Sequence, residues 1–182
     1  MPIPERVRVH APATLSNLGP GFDVLGLALN EPGDYVEAEW SDSPGVEIME
    51  VRGDDGQLNC DPTRNVVGIA ATAMLAAHDA DETTSRPPGV RLWLEKQMPL
   101  ASGLGSSAAS SVGGALAVNE LLGGALDRDQ LIVSALEGEQ AVSGGIHADN
   151  VVPCVTGGIV LIRSYSPMEL LSLPVPDALR VA

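Results

Sequence analysis

PLASGLGSSAA, residues 99–109, is the most informative segment of the chain, because it is a run of small residues rich in glycine and serine. It follows residues 89–96, in which apolar and polar residues alternate as they do in a half-buried strand. It leads into residues 106–122, which end at a glycine pair and are predicted to form a helix. Glycine tolerates positive φ and lets the backbone approach a ligand, and the unpaired N–H groups at a helix N-terminus favour an anion. The sequence therefore predicts a strand, loop and helix that bind phosphate.

Two better-known nucleotide-binding loops fit this segment less well. A P-loop requires a lysine at its end, and no lysine lies in the segment or after it. GLGSSA matches the relaxed dinucleotide fingerprint GxGxxA, but six residues separate the predicted strand from the first glycine. The acidic residue expected about 20 positions further on would fall near Asp127, at the start of a predicted helix. A third interpretation is that glycine and serine only form a flexible turn that permits close helix packing.

Composition restricts the partners of the chain. Its 182 residues carry 10 basic and 24 acidic side chains, a formal charge of −14, which opposes general affinity for nucleic acid and for anionic membranes. Only one of the ten cations is a lysine, Lys96, and this acid-rich, lysine-poor composition resembles that of proteins from halophilic organisms. Aromatic residues are scarce, so we expect a core of alanine, valine, leucine and isoleucine.

The cysteines and the apolar segments indicate a cytoplasmic protein. Cys60 and Cys154 have no partner pattern, so neither a disulfide framework nor a CxxC metal site is predicted, and buried or incidental thiols are expected. No apolar stretch typical of a secretory signal is present near residue 1. Residues 151–162 form the longest charge-free apolar stretch outside the Gly/Ser-rich segment, and twelve residues are too few to span a bilayer.

Hydrophobic patterning and turn residues predict further elements. Strands are predicted at residues 7–10, 35–40, 46–51 and 157–164, helices at 65–78 and 127–143, and a loop at 12–21. The strands at 35–40 and 46–51 are expected to form an antiparallel pair joined by the turn at 41–45. Helices and strands alternate without internal repeats, which predicts an α+β fold.

Three segments resemble the GHMP kinases, a family of small-molecule kinases. PLASGLGSSAA resembles the second motif of the family, the loop under which the ATP phosphates lie. PATLSNLGPGFDVLGLAL, residues 12–29, resembles the first motif of the homoserine kinases within that family. SGGIHADNVVPCVTGG, residues 143–158, resembles their segment HxDNVxPxxxGG. Mevalonate kinase and archaeal shikimate kinase are weaker resemblances, and Ser16 stands where family members usually carry alanine.

The resemblance implies a fold and a reaction. The fold would be a GHMP-kinase N-terminal domain, with a mixed or antiparallel sheet and helices on one side. The reaction would be phosphorylation of the hydroxyl of L-homoserine by ATP with Mg²⁺, in threonine biosynthesis. Residues 1–165 would form the ATP-binding domain, and residues 166–182 would begin a second domain that is missing. A homodimer is possible in such a family, and Trp40 or Trp93 on exposed sheet faces could serve its interface.

The resemblance also implies roles for individual residues. Asn17 and Asp23 would bind the amino-acid substrate, and the Asp23 charge suits an ammonium group. His147 and Asn150 would line the pocket near the reacting hydroxyl. For Asn17 alone, the favoured interpretation is a residue of an Asx turn. The arginines that would bind the substrate carboxylate lie, in the family, beyond the part that this chain matches.

The same resemblance implies a nucleotide site and a metal site. Ser107 and Glu139 would hold Mg²⁺, although Glu139 alone would be interpreted as a solvated helix carboxylate. The nucleotide would lie against Asn65, Val66, Pro99, Leu100, Ala101, Ser102, Gly103, Leu104, Gly105, Ser106, Ser107, Ala108 and Ala109. Asn150 cannot act as a general base, whereas His147 could in principle. Our hypothesis is that loop amides and Mg²⁺ stabilise the transferring phosphoryl group, that Asn150 and His147 orient the hydroxyl, and that no base is obligatory.

Other function classes remain open at this point. The chain could be a nucleotide-binding half that is inert by itself. It could also be another GHMP kinase, acting on mevalonate or shikimate. An oxidoreductase that binds a dinucleotide is disfavoured by the spacing of the loop.

Overall fold

A computed structural model describes residues 4–80, 86–176 and 178–181, and these form six strands and four helices. The elements are β1 (Arg6–Leu15), β2 (Leu25–Ser41), β3 (Gly45–Arg52), α1 (Val66–Asp79), β4 (Gly89–Glu95), α2 (Ser106–Leu121), α3 (Arg128–Ser143), α4 (Ala148–Thr156), β5 (Ile159–Tyr165) and β6 (Met168–Leu173). Within the described residues, no helix is both long and apolar enough to cross a bilayer.

One mixed sheet contains all six strands, in the order β3-β4-β2-β5-β6, with β1 also paired to β2. The predicted antiparallel pair of residues 35–40 and 46–51 is wrong. β4 lies between the two segments, antiparallel to β2 and parallel to β3. The chain between β3 and β4 contains helix α1. Parallel strands require a crossover connection, which is usually a helix, so this connection allows β4 to pair with β3 in parallel.

The two faces of the sheet differ in chemistry, because successive side chains of a strand point to opposite sides. Buried apolar side chains form the inner face, among them Val36 of β2 and Leu92 of β4. The outer face carries charged ladders, such as the ion pair between Arg8 and Glu95 at 2.8 Å. Helix α2 packs directly on the inner face, where a Cβ added to Gly113 would lie 2.6 Å from Val36 Cγ2. The predicted α+β fold, with helices on one side of a mixed sheet, is confirmed.

Several predicted elements are confirmed and others are longer or new. The helices at 65–78, 106–122 and 127–143 correspond to α1, α2 and α3. β1 continues to Leu15, into the predicted loop, and β2 begins at Leu25 although only its second half was predicted. Helix α4 was not predicted. Pro153 lies inside it and glycines flank it, so local patterning conceals a short helix that is stabilised by tertiary contacts.

The tryptophans and cysteines differ in their surroundings. Trp93 lies on the outer face of the sheet, as predicted, with Arg6 stacked 4.9 Å from its ring centre. Trp40 was expected on an exposed face, and this is wrong. It shares the face of Val36, packs against the core and donates its indole N–H to the Pro4 carbonyl at 3.1 Å. Both cysteines are free thiols, Cys60 exposed and Cys154 buried.

β6 extends the sheet by pairing antiparallel with β5. The domain boundary expected at residue 165 falls at the turn between these two strands. Several exposed apolar side chains follow along β6 and the next described residues: Leu171, Leu173, Val175, Leu179 and Val181.

Candidate functional site

The loop between β4 and α2 has the conformation that its glycines allow. Ala101, Gly103 and Gly105 lie in the left-handed region, with φ of 56°, 79° and 64°. Gly105 is the N-cap of α2, and no side chain caps the helix. The hydroxyl of Ser106, in the first turn, is buried and has no hydrogen-bond partner among the described residues. Uncapped N–H groups and an unsatisfied hydroxyl together favour an anionic ligand at this end of α2.

A cavity of about 300 Å³ opens beside this loop. Of the residues predicted to bind the nucleotide, its wall includes Asn65, Val66, Leu100, Ala101, Ser102, Gly103, Gly105, Ser106 and Ser107. Arg64 and Lys96 are the cations in its wall. Ala108 and Ala109 are instead buried in the hydrophobic core, Leu104 packs against that core, and Pro99 is exposed outside the cavity wall. The first turn of α2 and the start of α1 therefore face the same space.

Asn65 shapes the wall of the cavity opposite the loop. It is the N-cap of α1, and its side-chain oxygen accepts a hydrogen bond from the Val67 N–H at 3.2 Å. Its Nδ2 donates to the Asn59 carbonyl at 2.7 Å. The side chain is 4% exposed. Asn65 therefore holds the loop before α1 in place, and a ligand in the cavity would meet a rigid wall.

Lys96 lies beneath the loop and is 5% exposed. Its ammonium group forms a salt bridge with Asp34 and donates to the Ser106 carbonyl and to Ser110 Oγ, both at 2.7 Å. An ammonium group has three protons, so these acceptors use all of them. Burial lowers the pKa of Lys96, and the charge of Asp34 opposes that effect. Lys96 therefore holds the first turn of α2 against β2 and is not free to reach a ligand.

Ser107 and Glu139, the two residues predicted to bind a metal, are in contact. Ser107 Oγ donates a hydrogen bond to Glu139 Oε2 at 3.1 Å. Glu139 is 2% exposed, so it is not a solvated helix carboxylate, and burial raises its pKa. Within the described ranges, no group of three or more His, Cys, Asp or Glu could hold a metal ion. A hydroxyl and one carboxylate suit a Mg²⁺ ion that takes its other ligands from phosphate and water.

Asn17 and Asp23 lie in the exposed loop between β1 and β2, and both have left-handed backbone angles. Asn17 Oδ1 accepts a hydrogen bond from the Asp23 N–H at 2.8 Å. The hydroxyl of Tyr165, on β5, donates to the Asp23 carbonyl. The side chain of Asn17 thus closes this loop, but its bond reaches six residues on and is not the two-residue bond of an Asx turn. The carboxylate of Asp23 is exposed.

The start of α4 brings the remaining predicted residues into the site. His147 is the N-cap and is exposed, and Asn150 lies in the first turn. Burial raises the pKa of Glu139 and that of Asp149, and the neighbouring His147 opposes both shifts. Asn150 Oδ1 accepts a hydrogen bond from the Thr14 hydroxyl at 2.9 Å. α4 therefore stands between the β1–β2 loop and the loop before α2.

Comparison with known proteins agrees with this arrangement. Residues 65–158, just over half of the chain, match the family described as GHMP kinases N terminal domain. The chain belongs to the GHMP kinase family. It is 41% identical over 178 residues to a protein named homoserine kinase from Chlorobium phaeobacteroides, and 37% identical over 179 residues to one from Methanococcus maripaludis. The matches cover 95% and 98% of this chain but 55% and 57% of those proteins.

Solved structures extend the comparison. The crystal structure of homoserine kinase from Cytophaga hutchinsonii superposes with a TM-score of 0.87 at 45% identity, covering 97% of this chain and 54% of that one. Mevalonate kinase from Methanococcus jannaschii gives a TM-score of 0.69 at 16% identity, covering 96% and 57%, and shows a shared fold. This GHMP kinase chain therefore spans about half the length of the relatives it matches.

Several residues that the fold places in the site of this GHMP kinase domain were not predicted from the sequence. They are Thr14, Asp34, Lys96, Ser110, Asp149 and Tyr165. Lys96 had one available signal, because it is the single lysine of an acidic chain and lies just before the loop. Asp34 had none, since it lies 62 residues away from Lys96 in sequence.

Asp149 is expected to make the stability of this GHMP kinase domain depend on pH. Its side chain is 2% exposed, and Oδ2 has no hydrogen-bond partner among the described residues. Burial raises its pKa and the charge of Asp23 raises it further, whereas His147 and the Ser16 hydroxyl oppose the shift. A raised pKa means that the folded state holds the proton more tightly than the unfolded state. The contribution of Asp149 to stability is then largest below the ordinary pKa of 3.8 and is lost as the pH rises through the folded-state value.

The variant Asp149→Asn tests this effect through chemical denaturation at pH 4 and pH 7. We expect the free energy of unfolding of Asp149→Asn, relative to that of the wild type, to be higher at pH 7 than at pH 4. The control is Asp55→Asn, an exposed position whose left-handed backbone asparagine tolerates. A difference between Asp149→Asn and the wild type that does not change with pH would contradict the argument.

Proposed function

We propose that this chain carries the nucleotide site, and part of the acceptor site, of a kinase that transfers the terminal phosphoryl group of ATP to the hydroxyl of L-homoserine. The observation that supports this most directly is the start of α2. It is an uncapped helix end under a left-handed loop, it opens onto a cavity of about 300 Å³, and it bears a buried hydroxyl, that of Ser106, without a partner in the described chain. The names of relatives at 37–45% identity support homoserine as the acceptor.

Main-chain N–H groups of the loop and of α2 bind the phosphates in this proposal. The chain has a charge of −14, so long-range attraction would not favour ATP, and local dipoles must compensate. Lys96 contributes indirectly, because it fixes the Ser106 carbonyl and thereby the direction of the first turn of α2. Arg64 adds a positive charge at the cavity wall.

Mg²⁺ fits the residues present, since the Ser107 hydroxyl and the buried Glu139 carboxylate are already within hydrogen-bond distance of each other. When bound, the ion supplies positive charge that offsets the charge of the phosphates. Glu139 and Ser107 would hold it at the edge of the cavity. The pair also explains why a carboxylate is kept buried at this position, where it otherwise carries a desolvation cost.

The amino-acid acceptor would lie between the β1–β2 loop and the start of α4. The exposed carboxylate of Asp23 suits the substrate ammonium group, and Asn150 and His147 orient the substrate hydroxyl. Phosphoryl transfer depends mainly on positioning and on charge stabilisation, so these residues are sufficient without an obligatory general base. The substrate carboxylate would be bound by arginines from the part of the relatives that this chain does not match.

The length of the match favours a second candidate function. Because the chain covers 54–57% of its relatives, it can be a half-site that binds ATP and does not turn it over. Both candidates predict that the chain binds ATP, and only the kinase candidate predicts that it turns ATP over.

The decisive experiment combines calorimetric titration of the chain with ATP and Mg²⁺ and an assay for ADP in the presence of homoserine. Binding together with ADP release that requires homoserine supports the kinase proposal. Mevalonate and shikimate in place of homoserine test the acceptor, and either one giving the faster turnover would replace homoserine. Binding without turnover supports the inert half, and the absence of ATP binding contradicts both candidates.

Removing the carboxylate of Glu139 is expected to abolish the benefit of Mg²⁺. In Glu139→Gln we expect the gain in ATP affinity on adding Mg²⁺ to fall by about tenfold to a hundredfold, the effect of losing one interaction with a charged group. Without metal, the variant should be at least as stable as the wild type, because a buried charge has been removed. Titration with and without Mg²⁺ measures the first effect, and thermal unfolding measures the second.

The matched control is Glu137→Gln, an exposed carboxylate on the same helix. It should respond to Mg²⁺ as the wild type does. An equal response of the two variants would exclude Glu139 from the metal site.

A further inference from the structure

Thr14 joins the two halves of the site. It lies near the end of β1 and its side chain is completely buried. Its hydroxyl donates to Asn150 Oδ1 at 2.9 Å, while its main-chain N–H donates to the Leu104 carbonyl at 3.0 Å. One residue therefore contacts both the start of α4 and the loop before α2.

This contact determines which group Asn150 offers to a ligand, because a reversed amide would leave the buried Thr14 hydroxyl proton without an acceptor among the described residues. The Asn150 N–H bonds to the His147 carbonyl at 3.1 Å, which fixes the residue in the first turn of α4. Its side-chain oxygen is used by Thr14, and within the described residues Nδ2 has no hydrogen-bond partner. An asparagine amide has one acceptor oxygen and two N–H donors. Asn150 therefore presents donors to a ligand.

A donor at this position defines how a hydroxyl substrate is held. The hydroxyl oxygen has two lone pairs. One of them accepts a hydrogen bond from Asn150 Nδ2, and the other remains available to attack phosphorus. If the amide oxygen of Asn150 faced the substrate, it would accept a hydrogen bond from the substrate hydroxyl. Both lone pairs of the hydroxyl oxygen would then be unbound, and the direction of the attacking one would be less restricted.

The backbone of the loop is packed against the same hydrogen bond. A Cβ added to Gly105 would lie 2.1 Å from Thr14 Oγ1 and 2.9 Å from Asn150 Oδ1. The position of the Asn150 amide is thus defined relative to Gly105, the residue that begins α2 and borders the cavity.

We propose that Thr14 is a positioning residue whose hydroxyl holds the Asn150 amide with its NH₂ group toward the acceptor hydroxyl, at a fixed place relative to the nucleotide loop. The inference rests on the proposed function. It adds that Asn150 presents hydrogen-bond donors to the substrate and that Thr14 determines this orientation of the amide. Thr14 itself contacts neither substrate in this proposal.

The test compares Thr14→Val, which has nearly the same shape without the hydroxyl, with Thr14→Ser, which keeps the hydroxyl. The chain contains six asparagines, so ¹⁵N-asparagine labelling gives six side-chain NH₂ signal pairs in a nuclear magnetic resonance spectrum. The pair of Asn150 is identified by its absence in Asn150→Asp. Circular dichroism checks that each variant is folded, and Thr14→Ala removes the same hydroxyl where Thr14→Val does not fold.

Without nucleotide, we expect the Asn150 signals to shift in Thr14→Val and to stay at the wild-type position in Thr14→Ser. On titration with ATP and Mg²⁺, the Asn150 signals should respond in the wild type and in Thr14→Ser, and this response should be lost in Thr14→Val while ATP still binds. A purely structural role of Thr14 would leave the response of Asn150 to ATP intact in Thr14→Val.

Four outcomes bear on the two proposals separately. Unchanged Asn150 signals in Thr14→Val would overturn the positioning role, as would a Thr14→Ser spectrum that matches Thr14→Val. A wild-type chain that binds ATP without any response at Asn150 would overturn the link to the nucleotide loop. Absence of ATP binding in every variant would contradict the proposed function, and the nucleotide-free spectra would still decide whether Thr14 holds Asn150.

Discussion

Gly105→Ala is expected to destabilise the domain by about 2–5 kcal/mol and to weaken ATP binding by about tenfold to a hundredfold, the effect of losing one hydrogen bond to a charged group. Its φ of 64° lies in the left-handed region, which costs a residue with a Cβ about 1–2 kcal/mol. The added Cβ would also lie 2.1 Å from Thr14 Oγ1, and such overpacking adds about 1–3 kcal/mol. The loop must move to relieve the overlap, which displaces the main-chain N–H groups that bind the phosphates in the proposed function. Chemical denaturation and calorimetric titration with ATP measure the two effects.

Gly124→Ala separates backbone strain from lack of space. Gly124 has a φ of 72°, nothing within 4 Å of an added Cβ, and no place in the cavity wall. The variant Gly124→Ala should therefore be less stable than the wild type only by the backbone strain of about 1–2 kcal/mol. It should bind ATP as the wild type does. If the two variants lose the same stability and bind ATP equally, the close packing between Gly105 and Thr14 has no energetic consequence.

Lys96→Met is expected to destabilise the domain by about 3–5 kcal/mol, more than the loss of any exposed ion pair. It leaves Asp34 buried without its cationic partner, and breaking a buried ion pair from one side has a cost of that size. It also removes the donor from the Ser106 carbonyl and from Ser110 Oγ, so the first turn of α2 loses its attachment to β2. Denaturation in urea at neutral pH measures the loss, and a reduced ATP affinity should accompany it.

A second substitution distinguishes the unpaired charge from lost packing. Asp34→Asn in the Lys96→Met background removes the charge and keeps an oxygen for the Gln97 and Met98 N–H groups, which donate to Asp34 Oδ1 at 2.9 and 3.3 Å. Much of the lost stability should return. Arg163→Met, which breaks the exposed pair with Glu169 at 3.4 Å, should change stability by less than about 1 kcal/mol. No recovery in the double variant would show that the charge of Asp34 is not the cause.

The predictions that succeeded depend on short segments. In residues 99–109 the glycines, the small side chains and the following helix are neighbours in sequence, and their joint effect on the backbone is local. Helices α1 and α3 carry their own N-terminal signals, Asn65 in the one and the capping box of Asp127 and Gln130 in the other. Such capping hydrogen bonds form within a few residues, so the amino-acid sequence is sufficient to locate them.

The predictions that failed concern partners far apart in the chain. The alternating pattern of residues 46–51 indicates a strand, but the same pattern pairs equally well with β2 or with β4, and the crossover through α1 selects β4. Trp40 is a different case: it alternates with Glu37 and Glu39 and has the same parity as Val36, so the pattern already indicates the inner face on which it packs. For residues 46–51 the sequence pattern is compatible with two partner strands, and tertiary packing chooses between them.

The chain by itself therefore specifies the glycine-rich loop at residues 99–105, helices α1, α2 and α3 and the class of fold, because each follows from interactions within a few residues. Folding in three dimensions specifies the polarity of Asn150, set by Thr14 136 residues earlier, and the anchoring of α2 by Lys96 and Asp34. These contacts join segments whose separation in sequence carries no information about their distance in space. They exist only because the sheet places β1, β2 and β4 side by side beneath the helices.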